Sequence, residues 1–347
     1  MVESKTAGRH AATTSVTLRH RLEYCGLSLG GWAVRLLPFL WLSKAAKPIG
    51  ALVYYCDARG REVAMQNLDA AFGNSRTQAA KRLISKSSYQ NFARTMLNLF
   101  WSPNLNESVV SKYFKVRGLP GTLPGQPCIY VSLHSLNYEW LGQTTSFFCG
   151  PGIIVAQKLQ NPLLGPYFDW LRSSTGNQII PQERAIALML KHLKAGGYFC
   201  AAIDLNLDPK EASVIIDEFS GLKTCVTKIH AALALHTGAK IVPCQCRQRK
   251  DGGYDMHYFD PLEYPQDATP EDVAQLCWDA LEPRIYEHPE NWLWSYKSWR
   301  FRPSGGDASR YPDYSNSAKR FDRKLAKMDN LTQVAVGTTT ADIGIAP

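Results

Sequence analysis

A histidine and a glutamate lie five residues apart, directly after an apolar run that predicts a β-strand. The run ends just before His134, and Glu139 follows where a helix would begin. Histidine titrates near neutral pH and can take a proton from a hydroxyl, while a nearby carboxylate can orient its ring and stabilise the imidazolium. On a regular helix, residues five apart point about 140° away from each other. The two side chains can therefore meet only if His134 lies in the turn before the helix and Glu139 in its first helical turn. We interpret the pair as a general base with its partner; the alternative is an ordinary capped helix start.

Polar residues near other predicted strand ends extend this candidate site. Arg172 ends a predicted helix, where its guanidinium could hold an oxyanion or a phosphate, or act as an ordinary C-terminal cation. Asp204 closes an apolar run and is either a functional carboxylate or a helix cap. Lys158 is either a contact for a substrate phosphate or a surface lysine. We expect Arg172 to be accessible, so that its replacement changes the free energy of unfolding by no more than about 1 kcal/mol.

From residue 127 onward, short apolar runs alternate with amphipathic helices. The predicted strands cover CIYVSL and residues 152–157, 177–181, 198–204 and 240–248, and the helices cover 163–174, 183–195 and 226–237. This alternation implies crossover connections and a mostly parallel central sheet flanked by helices, an α/β fold. Sites in such sheets form at the carboxyl ends of the strands. His134 and Asp204 can therefore reach one rim of the sheet.

The first 120 residues differ from the rest in charge and hydropathy. They hold 17 Lys and Arg against six acidic residues, in a chain whose net charge is +9. Residues 25–43 are almost wholly apolar and have cations on both sides. Such a segment is typical of binding to an anionic membrane surface rather than to nucleic acid. Arg35, near its middle, favours an interfacial or re-entrant helix over a clean span; the alternative is a buried helix of a soluble domain.

These signals divide the chain into successive parts. Residues 1–18 and 304–347 are expected to be disordered or loosely attached, and residues 19–57 to form the membrane-associating segment. The main domain is expected over 58–303, with helices over 58–120 and the α/β core over 121–303.

Cysteines and serines offer little further chemistry. The nine cysteines are scattered through apolar runs, which indicates reduced core thiols rather than disulfides. Cys244 and Cys246 have no second pair at zinc-ligand spacing, so we predict no metal site. The segment Gly26-Leu-Ser28-Leu-Gly30 matches the G-x-S-x-G of esterases, but charged residues precede it where that motif needs a buried strand. A lipase or esterase is therefore disfavoured.

A series of short blocks runs along the chain in a fixed order. The blocks are Arg61-Glu-Val-Ala-Met-Gln-Asn67-Leu68-x-x-Ala71-Phe72, His134-x-x-x-x-Glu139, Lys158-x-x-Asn161-Pro162, Arg172-x-x-x-Gly176, Leu193-Lys194-x-Gly196 with Asp204, Glu218-Phe219-x-Gly221, Thr237-Gly238-Ala239-x-Ile-Val242-Pro243 and Pro289-Glu290-x-Trp292-x-Trp294. In this order and spacing, over residues 25–303, the chain resembles the lipid A biosynthesis late acyltransferases, the bacterial lauroyl and myristoyl transferase family.

This resemblance implies a fold like that of the glycerol-phosphate acyltransferases. It implies an enzyme at the inner membrane, with its site facing the cytoplasm, that transfers an acyl chain to a lipid hydroxyl. The roles that it implies are His134 as base, Glu139 as its partner and Arg172 as catalytic cation, with Lys158, Asn161 and Asp204 contacting the substrate.

The resemblance also implies the partners. The co-substrate is expected to be an acyl thioester, on acyl carrier protein or coenzyme A, with no metal or redox cofactor. An anionic membrane surface, acyl carrier protein and a lipid acceptor are the expected partners. The acceptor is lipid A or its precursor in this interpretation; a lysophospholipid, a glycolipid or an aminolipid is the alternative, and an inactive lipid-binding protein is a further one.

Overall fold

Helices form the N-terminal part of the chain. The computed structural model describes residues 16–118, 126–156, 159–182, 185–209, 213–219, 221–305 and 307–328. The first helices are α1 (Leu18–Arg35), α2 (Trp41–Cys56), α3 (Ala58–Phe72), α4 (Gln78–Trp101) and α5 (Glu107–Tyr113). The side chains of Thr17 and Thr77 cap α1 and α4 by accepting hydrogen bonds from first-turn N–H groups. Helix α2 approaches α4 closely at Gly50, where an added Cβ would lie 2.4 Å from the Cα of Gln90.

A mostly parallel sheet follows, as the sequence predicts. The strands are β1 (Phe114–Arg117), β2 (Cys128–Ser132), β3 (Ile153–Ala156), β4 (Gln178–Pro181), β5 (Tyr198–Ala202), β6 (Ser213–Glu218), β7 (Leu222–Thr227), β8 (Lys240–Gln248), β9 (Tyr254–Tyr258), β10 (Phe301–Arg302) and β11 (Asn316–Ser317). Within the described ranges the main sheet has the order β1-β9-β8-β2-β5-β3-β4. Its neighbours pair in parallel except β8 and β9, which are antiparallel. The sheet begins at β1, before the expected core boundary at residue 121.

Helices cover both faces of this sheet. They are α6 (Tyr138–Cys149), α7 (Leu164–Ser173), α8 (Ala185–Lys194), α9 (Ile229–Thr237) and α10 (Pro270–Glu287). Strand β2 is buried along its whole length, and its successive side chains enter two different core clusters. Ile129 and Val131 pack with residues of α8, α9 and α10, whereas Cys128 and Tyr130 pack with Trp140 of α6. Burial on both faces explains why β2 is a continuous apolar run rather than an alternating one.

Residues 307–328 pack against the body, unlike the loosely attached end that the sequence suggests. Strands β10 and β11 pair, and residues 319–328 are helical. Phe321 is fully buried against Ile215 of β6 and Cys225 of β7. This packing differs from the expectation for 307–328, because Phe321, with Leu325 and Met328 beside it, anchors a mostly polar stretch. Residues 1–15 and 329–347 lie outside the described residues.

Helices α1 and α2 expose large apolar side chains. We call this the α1–α2 apolar surface; its members are Leu18, Leu22, Leu29, Trp32, Leu36 and Trp41. Their exposure contradicts the alternative of a buried helix. Among the described residues, no helix combines the length and the hydropathy that crossing a membrane requires. Ser28 lies in the middle of α1, so the G-x-S-x-G match is not a strand-to-helix turn.

Candidate active site

The turn between β2 and α6 is fixed from several sides. Leu136 adopts the left-handed region with φ of 56°, which is uncommon for a residue with a branched side chain. Its carbonyl accepts a hydrogen bond from Thr95 Oγ1 of α4 at 2.8 Å, and its backbone nitrogen donates to the carbonyl of Asn291 at 2.9 Å. The side chain of Asn137 then caps α6 by accepting from Trp140 N. These bonds hold the strained turn that carries His134.

His134 bonds to Asp204, not to Glu139. Residues Ser132 and Ala202 pair in register at the ends of β2 and β5, so His134 and Asp204, each two residues further, emerge side by side. His134 Nδ1 lies 2.7 Å from Asp204 Oδ1, and the His134 backbone nitrogen donates to Oδ2 at 2.8 Å. The expectation that both residues reach one rim is therefore right, whereas the expectation that Glu139 is the partner of His134 is wrong.

A tryptophan completes the bonding of this carboxylate. Trp292 Nε1 donates to Asp204 Oδ2 at 2.7 Å, and Trp292 itself is buried. Helix α4 holds the tryptophan in place, since Ser88 Oγ donates to the Trp292 carbonyl at 2.5 Å. From its composition alone, the segment with Trp292, Trp294 and Trp299, in which tryptophans alternate with cations, could be an interfacial edge at a membrane or an ordinary packed segment. Trp292, Trp294 and Trp299 are all buried, so it is packed.

The charges of His134 and Asp204 support each other. Burial alone would lower the pKa of His134, but the charge and the hydrogen bond of Asp204 outweigh it and raise that pKa above its ordinary value. Burial would likewise raise the pKa of Asp204, but the charge of His134 and the donated hydrogen bonds lower it. Asp204 is therefore a carboxylate at neutral pH. It can stabilise an imidazolium at His134.

Glu139 forms a second pair, with Arg172. Arg172 Nε donates to Glu139 Oε2 at 3.0 Å and Nη2 to Oε1 at 2.7 Å, a two-bond geometry with good alignment. The Glu139 side chain is 7% exposed and the Arg172 side chain 24%. Burial would lower the pKa of Arg172, but the charge of Glu139 raises it. The expectation of an accessible Arg172 is therefore wrong, because this ion pair lies largely inside the protein.

A cleft of about 980 Å³ opens beside His134. Its size is that of a site for a substantial ligand. Most of its walls are apolar and come from the sheet, α8, α9 and the loop after β5; they include Val155, Ala185, Met189, Phe199, Leu205 and Ile229. Because His134 Nδ1 is bonded to Asp204, Nε2 is the ring nitrogen left for a group in the cleft.

The other predicted site residues lie elsewhere. Neither Glu139 nor Arg172 is among the described residues that line the cleft, although the charges of both act on His134. Asn161 lies outside the cleft and joins the turn before α7 to α1: its Nδ2 donates to the carbonyl of His20 at 3.0 Å and to Glu23 Oε2 at 2.9 Å. Lys158 lies outside the described residues.

Three residues to which the sequence assigns no role at the site take part in this region. Trp292 bonds to Asp204, and His230 and Asn206 line the cleft. His230 lies on an alanine-rich helix, where its sequence context indicates only packing. The one signal that could have found Asn206 is its position two residues after Asp204, at the same end of the sheet.

Comparisons with known proteins agree with the sequence resemblance. A family model described as bacterial lipid A biosynthesis acyltransferase matches residues 11–301. The lipid A biosynthesis lauroyltransferase of Escherichia coli (strain K12) is 25% identical over 298 residues, which cover 83% of this chain and 94% of that protein. The crystal structure of the 1-acyl-sn-glycerophosphate (LPA) acyltransferase PlsC from Thermotoga maritima matches with a TM-score of 0.35 and 14% identity, over 72% of this chain and 99% of that chain. The family match spans the whole main sheet and the helices before it.

Proposed function

This chain belongs to the bacterial lipid A biosynthesis acyltransferase family, and we propose that it transfers a fatty acyl chain from an acyl thioester to a hydroxyl of lipid A or its precursor. The observation that carries the proposal is the His134–Asp204 pair, whose histidine lines a largely apolar cleft. The name of the Escherichia coli relative, a lipid A biosynthesis lauroyltransferase, supports the acceptor.

The proposed reaction starts with proton transfer to His134. Nε2 takes the proton of the acceptor hydroxyl, and Asp204 stabilises the imidazolium that forms. The alkoxide attacks the thioester carbonyl, and the resulting tetrahedral oxyanion is stabilised by backbone N–H groups or by the positive charge of Arg172, which acts on His134 although Arg172 does not line the cleft. The intermediate then expels the thiol, which takes its proton from His134. The products are the ester and the free thiol carrier.

Transfer in this proposal is direct, without an acyl-enzyme. Cys200 also lines the cleft, but burial raises the pKa of its thiol. A thiol with a raised pKa is a poor nucleophile at neutral pH. The hydroxyl of the acceptor is therefore the attacking group.

The α1–α2 apolar surface is the proposed contact with the membrane. Leu22, Leu29 and Trp32 are 64%, 68% and 58% exposed on α1. The first 120 residues carry the excess of cations, so apolar insertion and attraction to anionic lipids act together. We propose that the enzyme lies on the inner membrane with the cleft facing the cytoplasm, where acyl carrier protein would deliver the chain.

The test is acyl transfer by the purified full-length chain in anionic vesicles. Labelled acyl thioesters of acyl carrier protein and of coenzyme A are each offered with a lipid A precursor, a lysophospholipid, a glycolipid or an aminolipid. We expect an ester product with the lipid A precursor and none from His134→Ala. If the acyl chain is transferred only to another acceptor, that acceptor replaces lipid A in the proposal. If His134→Ala forms as much product as the wild type, the proposal is overturned.

A further inference from the structure

Positive charge is concentrated in the last described part of the chain. Residues 297–328 hold nine Lys and Arg against three Asp, a net charge of +6, in a chain whose total is +9. Residues 319–328 form a helix, and its apolar side chains Phe321, Leu325 and Met328 pack against β6 and β7. These three recur four and three residues apart and therefore lie on one side of the helix. The other side is left to the charged residues.

The charged side of this helix has no carboxylate partner in the described parts of the chain. Its exposed cations are Lys319, Arg320, Arg323 and Lys327. None of the four forms an ion pair with a described residue. Asp322, the acidic residue within 319–328, is bonded elsewhere: its Oδ1 accepts a hydrogen bond from the backbone nitrogen of Ser304 at 2.7 Å. The four charges are therefore open to a partner from solution.

The helix adjoins the cleft beside His134. Arg300 and Phe301 line the cleft, and Phe301 also packs against the cluster that holds Phe321. Strand β10 begins at Phe301 and pairs with β11, which ends one residue before the helix. Arg300 is itself exposed and adds a fifth cation at the cleft. We call Arg300, Lys319, Arg320, Arg323 and Lys327 the C-terminal basic surface.

Two further lysines connect this surface to the edge of the cleft. Lys228 lies between Thr227 and Ile229, which both line the cleft. Burial lowers the pKa of Lys324 on the helix, and the charges of Lys228 and Lys327 act in the same direction. Lysines that repel each other in this way are close together. The positive charge therefore continues from the helix to the cleft.

The kind of partner follows from what this surface lacks. Among the described residues of 297–328, no large apolar side chain is exposed to match Leu22 and Trp32 of α1, which are 64% and 58% exposed. A helix that lies on a membrane inserts such side chains while its charges attract anionic lipids. The C-terminal basic surface offers only charges, so an acidic soluble partner fits it better than a membrane does.

The spread of the charges selects the size of that partner. Lys319 and Lys327 are eight residues apart, which is about 12 Å along a helix, and Arg300 lies at the cleft itself. One phosphate group cannot contact both ends of such a row. A protein with several carboxylates on its surface can contact all of it.

We propose that the C-terminal basic surface docks an acidic carrier protein, which holds the acyl thioester and delivers it into the cleft. Carboxylates of the carrier pair with the helix, and the arm that bears the thioester passes Arg300 and Phe301 to reach His134. The proposal rests on the proposed function, because it requires a thioester donor. It adds where that donor binds and why it is a protein. Since charge pairs at the rim of an interface mainly speed association, a protein-bound acyl chain should react faster than the same chain on a small thiol.

The test compares two donors of one acyl chain, dodecanoyl-acyl carrier protein and dodecanoyl N-acetylcysteamine, an uncharged small thioester. The triple variant carries Arg320→Gln, Arg323→Gln and Lys327→Gln, which remove three charges but keep long polar side chains on the helix. We expect its kcat/KM with the carrier donor to fall about 10-fold, mostly through KM, because steering by charge is lost. With the small thioester its kcat/KM should match that of the wild type. High salt should lower the wild-type value more with the carrier donor than with the small thioester.

A matched control removes three exposed cations at the opposite end of the sheet. Lys191 and Lys194 lie at the end of α8, and Lys240 begins β8, where it pairs with the first residue of β2. Their joint replacement by Gln should leave kcat/KM unchanged with both donors. Binding of the carrier without an acyl chain, measured by calorimetry on the wild type and both variants, repeats the comparison without turnover. Melting curves check that each variant is folded.

The outcomes separate the docking surface from its rivals. An unchanged kcat/KM with the carrier donor in the triple variant would overturn the docking surface, as would an equal fall with both donors. A raised KM for the lipid acceptor alone would assign the charges to acceptor phosphates, and reduced flotation with anionic vesicles at unchanged carrier binding would assign them to the membrane; either result overturns the proposal. Carrier binding that depends on this surface in a chain without acyl transfer would support the docking surface and contradict only the proposed function.

Discussion

Asp204 holds His134 at two points, the ring nitrogen Nδ1 and the backbone nitrogen of the same residue. One carboxylate thus fixes both the orientation of the imidazole and the path of the chain that carries it. Because Trp292 donates a third hydrogen bond, the carboxylate has little freedom to turn away. The imidazole of His134 is therefore positioned by Asp204, just after β5, and not by the helix that follows His134 in the sequence.

We expect His134 and Asp204 to act as one unit. Asp204→Asn removes the charge that stabilises the imidazolium, so kcat should fall by about 10²–10⁴, as it should in His134→Ala. The double variant should be little worse than the poorer single variant, since each change disables the same base. Kinetics of both single variants and the double variant check this. Losses that multiply in folded protein would contradict the pairing.

The pH dependence of kcat/KM should report the raised pKa of His134. The ring must be neutral to accept a proton, so activity should fall as pH decreases through a pKa above 6.5. In Asp204→Asn this acid limb should move to lower pH, because burial then acts without the opposing charge. The contribution of the protonated His134 to the free energy of unfolding has the opposite pH dependence. It is fully present below pH 6.5 and is lost as the pH rises through the raised pKa of His134 in the folded chain. If the acid limb of Asp204→Asn does not move, Asp204 does not raise the pKa of His134.

The Glu139–Arg172 pair should be needed for stability as well as for activity. Removing either partner leaves a largely buried charge alone, so Arg172→Ala and Glu139→Ala should each lower the free energy of unfolding by about 3–5 kcal/mol. The double variant should lose less than the sum. Asp217→Asn, which breaks an exposed pair with Lys223, is the control and should change it by less than about 1 kcal/mol. Urea unfolding in detergent measures these values, and a small, additive loss would instead indicate an accessible arginine.

The sequence predicts the strands of this site better than its contacts. Apolar runs identify β2 and β5, and the rule for parallel sheets brings His134 and Asp204 to one rim. The partner of His134 could not be predicted, because the direction of its ring depends on the left-handed Leu136 and on bonds from distant residues such as Thr95. Such contacts leave no local pattern in the sequence.

Two further features depend on tertiary packing. The Glu139–Arg172 pair joins the first turn of α6 to the end of α7, two helices that the sequence places separately. The order of charges along the chain does not indicate which helix faces which. Likewise, Phe321 is one aromatic residue in a charged stretch, and only the groove beside β6 and β7 explains its burial.

Membrane binding should depend on the α1–α2 apolar surface. Replacing Leu22, Leu29 and Trp32 together by Ser should reduce flotation with anionic vesicles, because the buried apolar area is lost while the charge is kept. High salt should weaken binding of the intact chain without abolishing it. Val116→Ser, at an exposed apolar residue of β1, is the control and should float as the wild type does. Equal flotation of the triple variant would place the membrane contact elsewhere.

Mass spectrometry of the lipids of cells with and without the gene tests the central claim most directly. Without the gene, lipid A should lack the mass of one fatty acyl chain, and the native gene should restore it. A gene with His134→Ala should express a folded, membrane-bound protein and fail to restore that mass. Restoration by His134→Ala, or an unchanged lipid A mass without the gene, would contradict the account of a His134-dependent acyltransferase acting on lipid A.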